Sequence, residues 1–312
     1  MQVYDRKTGF CKAGGCVLAL GSFDALHIGH QALIREAVHQ ARQRGVCAGV
    51  HLFDGRPEAV ITEQEIYKTI YNRGDKAQII EQLGADFAYF ETFDTTFMRL
   101  SSEAFAKMLK DRFDVLCVVV GFHYTFGYKA EGTVETLKEF GKKYGFDVVV
   151  IEPVMQDGVL VSSTLVRSCL EDGDIARANR LLGRAYALCG PVVRDRGVGT
   201  GMGIPTANLS LPDSLLLPKR GVYATYSVIG GKAYAGVTNI GIRPTFSLSK
   251  VVVESHLLDF SGALDGDMLS VCFLAWLRME RKFPTKEALS RQIFGDMDKA
   301  RKLFYKMQMK LD

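Results

Sequence analysis

The sequence predicts a doubly wound α/β domain followed by a small all-β domain closed by one helix. Three observations carry that expectation. Apolar runs of strand length alternate with amphipathic, helix-length segments as far as Leu182. Beyond Gly183 the rhythm changes to five strand-like runs with Gly-Gly and Asp-Gly turns between them. One long amphipathic segment then closes the chain.

In the first half, residues 16–20 are an apolar strand, and a helix follows from Gln31. Residues 46–53 form the next strand. Residues 76–83 form a short helix that stops at Gly84, since glycine readily takes the left-handed position after a helix. A short strand covers 87–90, and Ser101-Ser102-Glu103 opens a helix to about residue 112. Residues 115–120 are apolar without interruption, as a strand covered on both faces of a parallel sheet requires. Residues 134–144 are helical and 146–151 are the next strand. Two short helices, 163–170 and 175–182, are separated by Gly173.

In the second half, 186–193, 222–229, 232–240, 252–258 and 269–277 read as strands, turned by Gly230-Gly231 and Asp265-Gly266. A helix over 285–309, with a break near Gly295, completes the chain. Five strands and a helix fit a small antiparallel barrel or a sandwich. The boundary falls near Gly183, dividing the chain into 1–183 and 184–312.

Composition narrows the function classes. The chain has 312 residues, 47% hydrophobic and 24% charged, enough to build a core in each half. A formal charge of +4 does not call for nucleic acid and suits an anionic substrate such as ATP. Seven cysteines include no CxxC pair, and several, such as Cys47, Cys117 and Cys272, sit in apolar runs. They read as buried thiols in a reducing compartment. With no apolar span of about eighteen residues and no cleavable signal, the expectation is a cytoplasmic protein without a membrane partner.

The richest stretch is GSFDALHIGH, residues 21–30, on the turn between the first strand and its helix. Ligands of open parallel sheets bind at the carboxyl ends of strands. The start of a helix also offers unpaired amides to an anion. His27 and His30 flank Gly29 there, so two imidazoles can reach phosphate oxygens while the glycine admits close backbone approach. Two helix-capping histidines are the plain alternative, and Gly21, Phe23, Asp24 and the strand-turn-helix setting weigh against it. The pattern resembles the HxGH signature of nucleotidyltransferases.

Other segments offer further chemistry. GFHYTFG, 121–127, places Phe126 in a glycine-bounded aromatic loop that could line a ring pocket or simply pack. Ser162-Ser163-Thr164-Leu165-Val166-Arg167 opens a helix with hydroxyls and a cation suited to a polyphosphate, or with a plain N-cap. GMGIPTANLSL, 201–211, lies between strands, so it is neither a dinucleotide fingerprint nor a Walker loop. Its Pro205-Thr206-Ala207-Asn208 offers two oxygens that suit Mg²⁺, or an Asx turn. GVTNIG followed by Arg243-Pro244-Thr245 reads as a rigid loop with a cation at its tip. Glu254 lies mid-strand on the face of Val252, His256 and Leu258, which predicts a pocket wall or the barrel interior. A carboxylate there needs a partner or a task.

Taken together, GSFDALHIGH, VVVG to FG, VSSTLVR, LLGRAY, GIPTANL, GVYAT, GVTNIGIRPTF, VESHLLDF and LRMERKF resemble the prokaryotic bifunctional riboflavin kinase/FMN adenylyltransferases, over about residues 17–301. The resemblance implies a Rossmann-like nucleotidyltransferase domain and a six-stranded antiparallel barrel with a C-terminal helix. It implies FMN made from riboflavin and ATP, then FAD from FMN and ATP, with Mg²⁺. By motif, His27 and His30 would hold ATP phosphates, Gly21, Phe23 and Asp24 would shape the nucleotide pocket, and Ser163, Thr164 and Arg167 would contact the polyphosphate. In the second half, Gly203 and Pro205 would border the ATP site, Thr206 and Asn208 would ligate Mg²⁺, and Glu254 would be the base. Asn239, Arg243 and Phe126 would contact the flavin.

Departures from the family pattern cluster in the first half: Ser22 for Asn, Ala25 for Gly, Gly55-Arg56-Pro57 for Pro-His-Pro, His123 and Thr125 in the aromatic loop, and Leu165 for Arg. Thr200 for Arg is a lesser one. They support an alternative in which the kinase is kept and adenylation is weak or absent. A class I aminoacyl-tRNA synthetase fragment shares the HxGH turn, but the sequence has no KMSKS-like loop and no basic tract. A flavin carrier would not need two nucleotide-phosphate motifs.

Overall fold

The structure, a computed structural model, describes residues 1–10, 14–54, 68–193, 206–244 and 249–309. Its contacts divide the chain into two units, Met1–Ser163 and Thr164–Asp312.

The first unit holds a six-stranded sheet of β1 (Gln2–Asp5), β2 (Cys16–Leu20), β3 (Cys47–Asp54), β4 (Phe87–Thr92), β5 (Val115–Gly121) and β6 (Asp147–Ile151). The order is β1-β4-β3-β2-β5-β6 and every pairing is parallel. Helices α1 (Ile28–Arg44) and α2 (Arg73–Gln82) cover one face, where Leu33, Ile34, Ala37 and Ile80 meet Val17, Ala19 and Val50. After the short α3 (Thr95–Met98), helices α4 (Ser102–Phe113) and α5 (Val134–Tyr144) cover the other. There Phe105, Leu109, Phe113 and Leu137 meet Leu18, Leu20 and Val118. Successive side chains of a strand point to opposite faces, so all five residues of β2 are buried. This is the doubly wound architecture that the alternation predicts.

The sequence reading lacked the short α3 of this unit, its edge strand and a hairpin. The edge strand β1 pairs with β4 in the register Gln2 with Phe87 to Asp5 with Phe90. A hairpin of β7 (Met155–Gln156) and β8 (Val159–Leu160) turns at Asp157 and Gly158, both left-handed at φ 53 and 75.

The second unit opens with α6 (Ser163–Asp172) and α7 (Ile175–Leu182). The Asn179 side chain ties α7 to the all-β part of the chain: its Nδ2 donates to the Phe273 carbonyl at 2.9 Å, and its Oδ1 accepts from the Tyr186 amide at 2.8 Å. The compositional boundary near Gly183 is thus the end of α7, while the spatial division falls at the start of α6.

Strands β9 (Ala187–Val193), β10 (Ala207–Leu209), β11 (Gly221–Ile229), β12 (Lys232–Pro244), β13 (Ser249–Leu257) and β14 (Met268–Arg278) close a barrel in the order β10-β13-β12-β11-β14-β9. The five-strand reading lacked β10, three residues that join β13 to β9 and complete the closure. Helix α8 (Lys286–Gln308) lays Met297, Ala300 and Phe304 on the outward side chains Ala224, Tyr226, Ala235 and Val237. The expected break near Gly295 does not occur. A glycine costs a helix only about 1 kcal/mol, and packing by Ile293 before it and Met297 after it holds the helix continuous. Inside the barrel, Thr225, Thr238 and Ser255 form a hydroxyl ladder with oxygens 2.8 and 2.9 Å apart. No helix among the described residues is long and apolar enough to cross a membrane.

Candidate active sites

Strand β2 lies between β3 and β5, where the winding of the first sheet reverses. A crevice opens at such a switch point, beyond the carboxyl ends of the strands. The 21–30 turn emerges there. Phe23 and Leu26 are both left-handed, at φ 48 and 47, and both are fully buried. Each costs about 1 kcal/mol or more of backbone strain, which persists only where packing dictates it. Phe23 packs under Gly21, where an added Cβ would lie 3.2 Å from its ring. Asp24 Oδ1 accepts from the Ile70 amide at 3.3 Å, and Gln31 Nε2 donates to the Leu26 carbonyl at 3.0 Å.

This scaffold fixes the histidines. His27 is the N-cap of α1, and its Nδ1 accepts from the His30 amide at 3.2 Å. An accepting Nδ1 is unprotonated, so a neutral ring carries its proton on Nε2, the donor that a phosphate oxygen takes. The His30 ring stacks on it at 3.7 Å and 17°, and meets Phe23 edge-on at 5.1 Å. The first turn of α1 holds no acidic residue, so nothing there repels an anion. The capping alternative and the phosphate reading are therefore compatible, since the cap engages Nδ1 whereas a phosphate would meet Nε2.

The remaining first-half candidates are spread over both units. Ser163 opens α6 as the last residue of the first unit. Thr164, exposed, and Arg167, half-buried, belong to the second unit. Phe126 is 7% exposed and packs in the core against Phe105 and Tyr124, at 5.4 and 5.8 Å. The open rings of that loop are Phe122 and His123, 4.4 Å apart. Ala25 is fully buried and Ser22 exposed. Gly55, Arg56 and Pro57 lie outside the described residues.

Among the displaced carboxylates of this unit, burial is the leading influence on two. Burial pushes Asp75, in the first turn of α2, up to about 6, against a hydrogen bond from the Asn72 amide. Burial also disfavours the Glu91 charge, but His51, Arg112 and Arg6 outweigh it and hold the carboxyl below its usual value. Arg6 and Arg112 reach Glu91 at 2.6 and 2.8 Å.

In the second unit, residues from separate motifs meet. Asn208 on β10 pairs with Glu254 on β13, and Glu254 pairs with Asn239 on β12. The three side chains form one lateral row across three neighbouring strands. Their face is the outer one, because Val237, two residues from Asn239, packs with the α8 layer, whereas Thr238 and Ser255 are wholly buried in the ladder. The expectation of Glu254 in the barrel interior is therefore corrected. Alternation separates two faces of a strand without saying which is inner, and Ser255 is buried because Thr238 satisfies its hydroxyl. Glu254 lies half-buried on the outer wall.

The Oδ1 atoms of Asn208 and Asn239 are both buried without a hydrogen-bond partner among the described residues. Thr206 is exposed, two residues before Asn208. Such oxygens beside a carboxylate fit a hard divalent cation, its waters, or substrate hydroxyls. Arg243 follows on β12 in register with Lys250, while Gly203 and Pro205 lie outside the described residues. Sequence reasoning gave no role to Glu280, whose Oε1 accepts from Asn239 Nδ2 at 3.0 Å. It also passed over a concavity of about 570 Å³ lined by Arg281, Phe283, Arg291 and Gln292. The Arg281 guanidinium stacks over Phe283 at 4.7 Å. The LRMERKF segment held the signal for both.

Comparison with known proteins finds two family profiles and full-length relatives. The FAD synthetase family profile matches residues 11–165, and the riboflavin kinase profile matches 182–304. The bifunctional riboflavin kinase/FMN adenylyltransferase of Listeria monocytogenes is 33% identical over 94% of this chain and 93% of its own. That of Escherichia coli K12 is 34% identical over 93% of each chain. A crystal structure from Streptococcus pneumoniae, described as a macrolide-efflux protein, is 28% identical with a TM-score of 0.87, over 96% of this chain and 99% of that one. With both profiles matched and full-length relatives above 30% identity, the chain belongs to the bifunctional riboflavin kinase/FMN adenylyltransferase family.

Proposed function

We propose that the family's two reactions are divided between residues 1–183, which adenylate FMN, and residues 184–312, which phosphorylate riboflavin. The protein is a bifunctional transferase: with ATP as co-substrate it converts riboflavin to FMN, and FMN to FAD with release of pyrophosphate. The alternative of a kinase with a silent first half is not favoured, since the FAD synthetase profile matches residues 11–165. Six cysteines are free among the described residues. That supports a reducing, cytoplasmic setting.

One observation carries the kinase assignment. Asn208, Glu254 and Asn239, read from three separate segments, are direct cross-strand neighbours. In this reading Glu254 takes the proton of the terminal ribityl hydroxyl as its oxygen attacks the γ-phosphorus of ATP. Asn208 Oδ1 and the Thr206 hydroxyl would hold Mg²⁺, which neutralises phosphate charge when bound. The loose transition state of phosphoryl transfer asks for positioning and charge neutralisation more than for a strong base. Asn239 and Arg243 orient the flavin's side chain. Gly203 and Pro205 border the nucleotide, and the Arg281–Phe283 concavity offers an aromatic and cationic wall.

For adenylyl transfer, the FMN phosphate attacks the α-phosphorus and pyrophosphate leaves. His27 Nε2, the His30 ring and the first amides of α1 neutralise the polyphosphate. Gly21, Phe23 and Asp24 fix the turn that aims them. Ser163, Thr164 and Arg167 add donors, with Phe126 anchoring the 121–127 loop toward the flavin. Incubation with riboflavin, ATP and Mg²⁺, followed by chromatography of the flavins, tests the reading. FAD is the expected end product, whereas FMN alone would leave only the kinase and no conversion would remove both activities.

A further inference from the structure

Glu280 lies two residues past the end of β14 and is exposed, so by sequence it reads as one more surface charge in LRMERKF. The structure gives it a more specific place. Its Oε1 accepts from Asn239 Nδ2 at 3.0 Å. To reach that amide the carboxylate passes over Gly241, where an added Cβ would lie 2.1 Å from Oε1 and 2.9 Å from Asn239 Nδ2. Any side chain at 241 would close this path.

The bond has a consequence for orientation. An ionised carboxylate only accepts hydrogen bonds, whereas an amide has one donating and one accepting end. Turning the Asn239 amide over would set Oδ1 against Oε1, two acceptors face to face. Glu280 therefore fixes Oδ1 on the opposite side, where it is buried without a partner among the described residues. That atom belongs to the residue directly opposite Glu254. A buried acceptor left unmade is costly, and a hydroxyl donor entering the site relieves the cost.

We propose that Glu280 is a positioning residue of the kinase site, locking the Asn239 amide so that Oδ1 accepts a hydroxyl of the substrate's polyol chain next to the hydroxyl that Glu254 deprotonates. The inference rests on the reading of Glu254 and Asn239 as parts of the riboflavin site. A carboxylate reaching Asn239 from one side and a polyol hydroxyl bonding it from the other divide the work, so Glu280 itself need not touch the substrate.

The test is steady-state riboflavin phosphorylation by the full-length protein. Glu280→Ala should lower kcat/KM for riboflavin roughly 10- to 100-fold, the loss expected for a hydrogen bond to a charged group, with KM for ATP unchanged. Glu280→Gln should retain most activity, because its side-chain carbonyl still accepts. The decisive pair reverses donor and acceptor. Asn239→Asp sets two carboxylates together and should lose at least as much as Glu280→Ala. Adding Glu280→Gln supplies an amide donor to that aspartate and should recover roughly tenfold of the loss. Wild-type kinetics in Glu280→Ala, a strong loss in Glu280→Gln, or no recovery in the reversed pair would each overturn the proposal. Should Glu280→Ala fail to fold, Glu280→Gln and the reversed pair still decide it. Normal turnover in Glu254→Gln alongside recovery in the reversed pair would reject the base and keep the lock.

Discussion

Asn239 and Glu254 stand directly opposite each other on β12 and β13, on the outer wall of the barrel. They are fifteen positions apart in the chain (254 − 239), and the β12–β13 pairing brings them side by side. Asn208 completes the row from β10. The row explains why a three-residue strand matters to function, since without β10 the wall would lack the amide on the far side of Glu254.

The amide oxygen of Asn208 should set the metal requirement. Asn208→Ala removes that oxygen and should raise the Mg²⁺ concentration for half-maximal kinase activity by roughly tenfold or more. Asn208→Asp, which keeps an oxygen, should remain near wild type. Measuring FMN formation against Mg²⁺ concentration checks this, and an unchanged requirement in Asn208→Ala would remove the residue from the cation site.

The anchoring of α7 predicts where the kinase unit can be cut. A fragment of residues 164–312 keeps Asn179 and its bonds to Phe273 and Tyr186, together with the buried Ile175, Ala178, Leu181 and Leu182. A fragment of 184–312 loses them. Both should be tested for riboflavin phosphorylation and for Tm. The longer fragment should be active and melt several degrees higher, as a loss of a few kcal/mol demands. Equal Tm values would show that α7 adds nothing to the barrel.

Asp75 predicts a pH dependence of stability. Its carboxyl is raised from 3.8 to about 6 by burial, so the folded state holds a proton that the unfolded state has already released. Stability from this group is therefore complete below about pH 4 and is lost as pH rises through 6. The loss should reach about 2 kcal/mol by pH 7.5, after allowance for partial contact with water. Asp75→Asn removes the titration. Its stability advantage over the parent, from denaturant unfolding, should grow between pH 4 and pH 7 and then level off. A constant difference across that range would mean that Asp75 titrates normally.

Much of the fold was legible because its signals are local. The helix over 134–144 is found as expected: Thr133 caps it, Leu137 and Gly141 give it a buried stripe, and the left-handed Gly145 stops it. The histidine turn was legible for the same reason. The β7–β8 hairpin went unread because its strands are only two residues each. Strands β1 and β10, four and three residues long, are too short to show a period. They exist because β4 on one side, and β9 and β13 on the other, offer edges to pair with. The inner face of β13 was hidden by Ser255, whose polarity is answered only by a hydroxyl on the neighbouring strand. Glu280 escaped notice because its partner lies 41 positions away, across a glycine that has to be there.

The central claim is that one chain carries two chemically independent sites, and product analysis of two variants tests it most directly. His30→Ala should lower FAD formation by about 10²-fold or more, the scale of one lost transition-state donor, while FMN formation continues. Glu254→Gln should lower riboflavin phosphorylation by roughly 10²-fold, while FAD formation from supplied FMN continues. Chromatographic quantification of FMN and FAD from each variant, with riboflavin or FMN as substrate, reads both at once. Opposite, separable losses are the predicted result; loss of both activities in either folded variant, or of neither in both, would contradict the account.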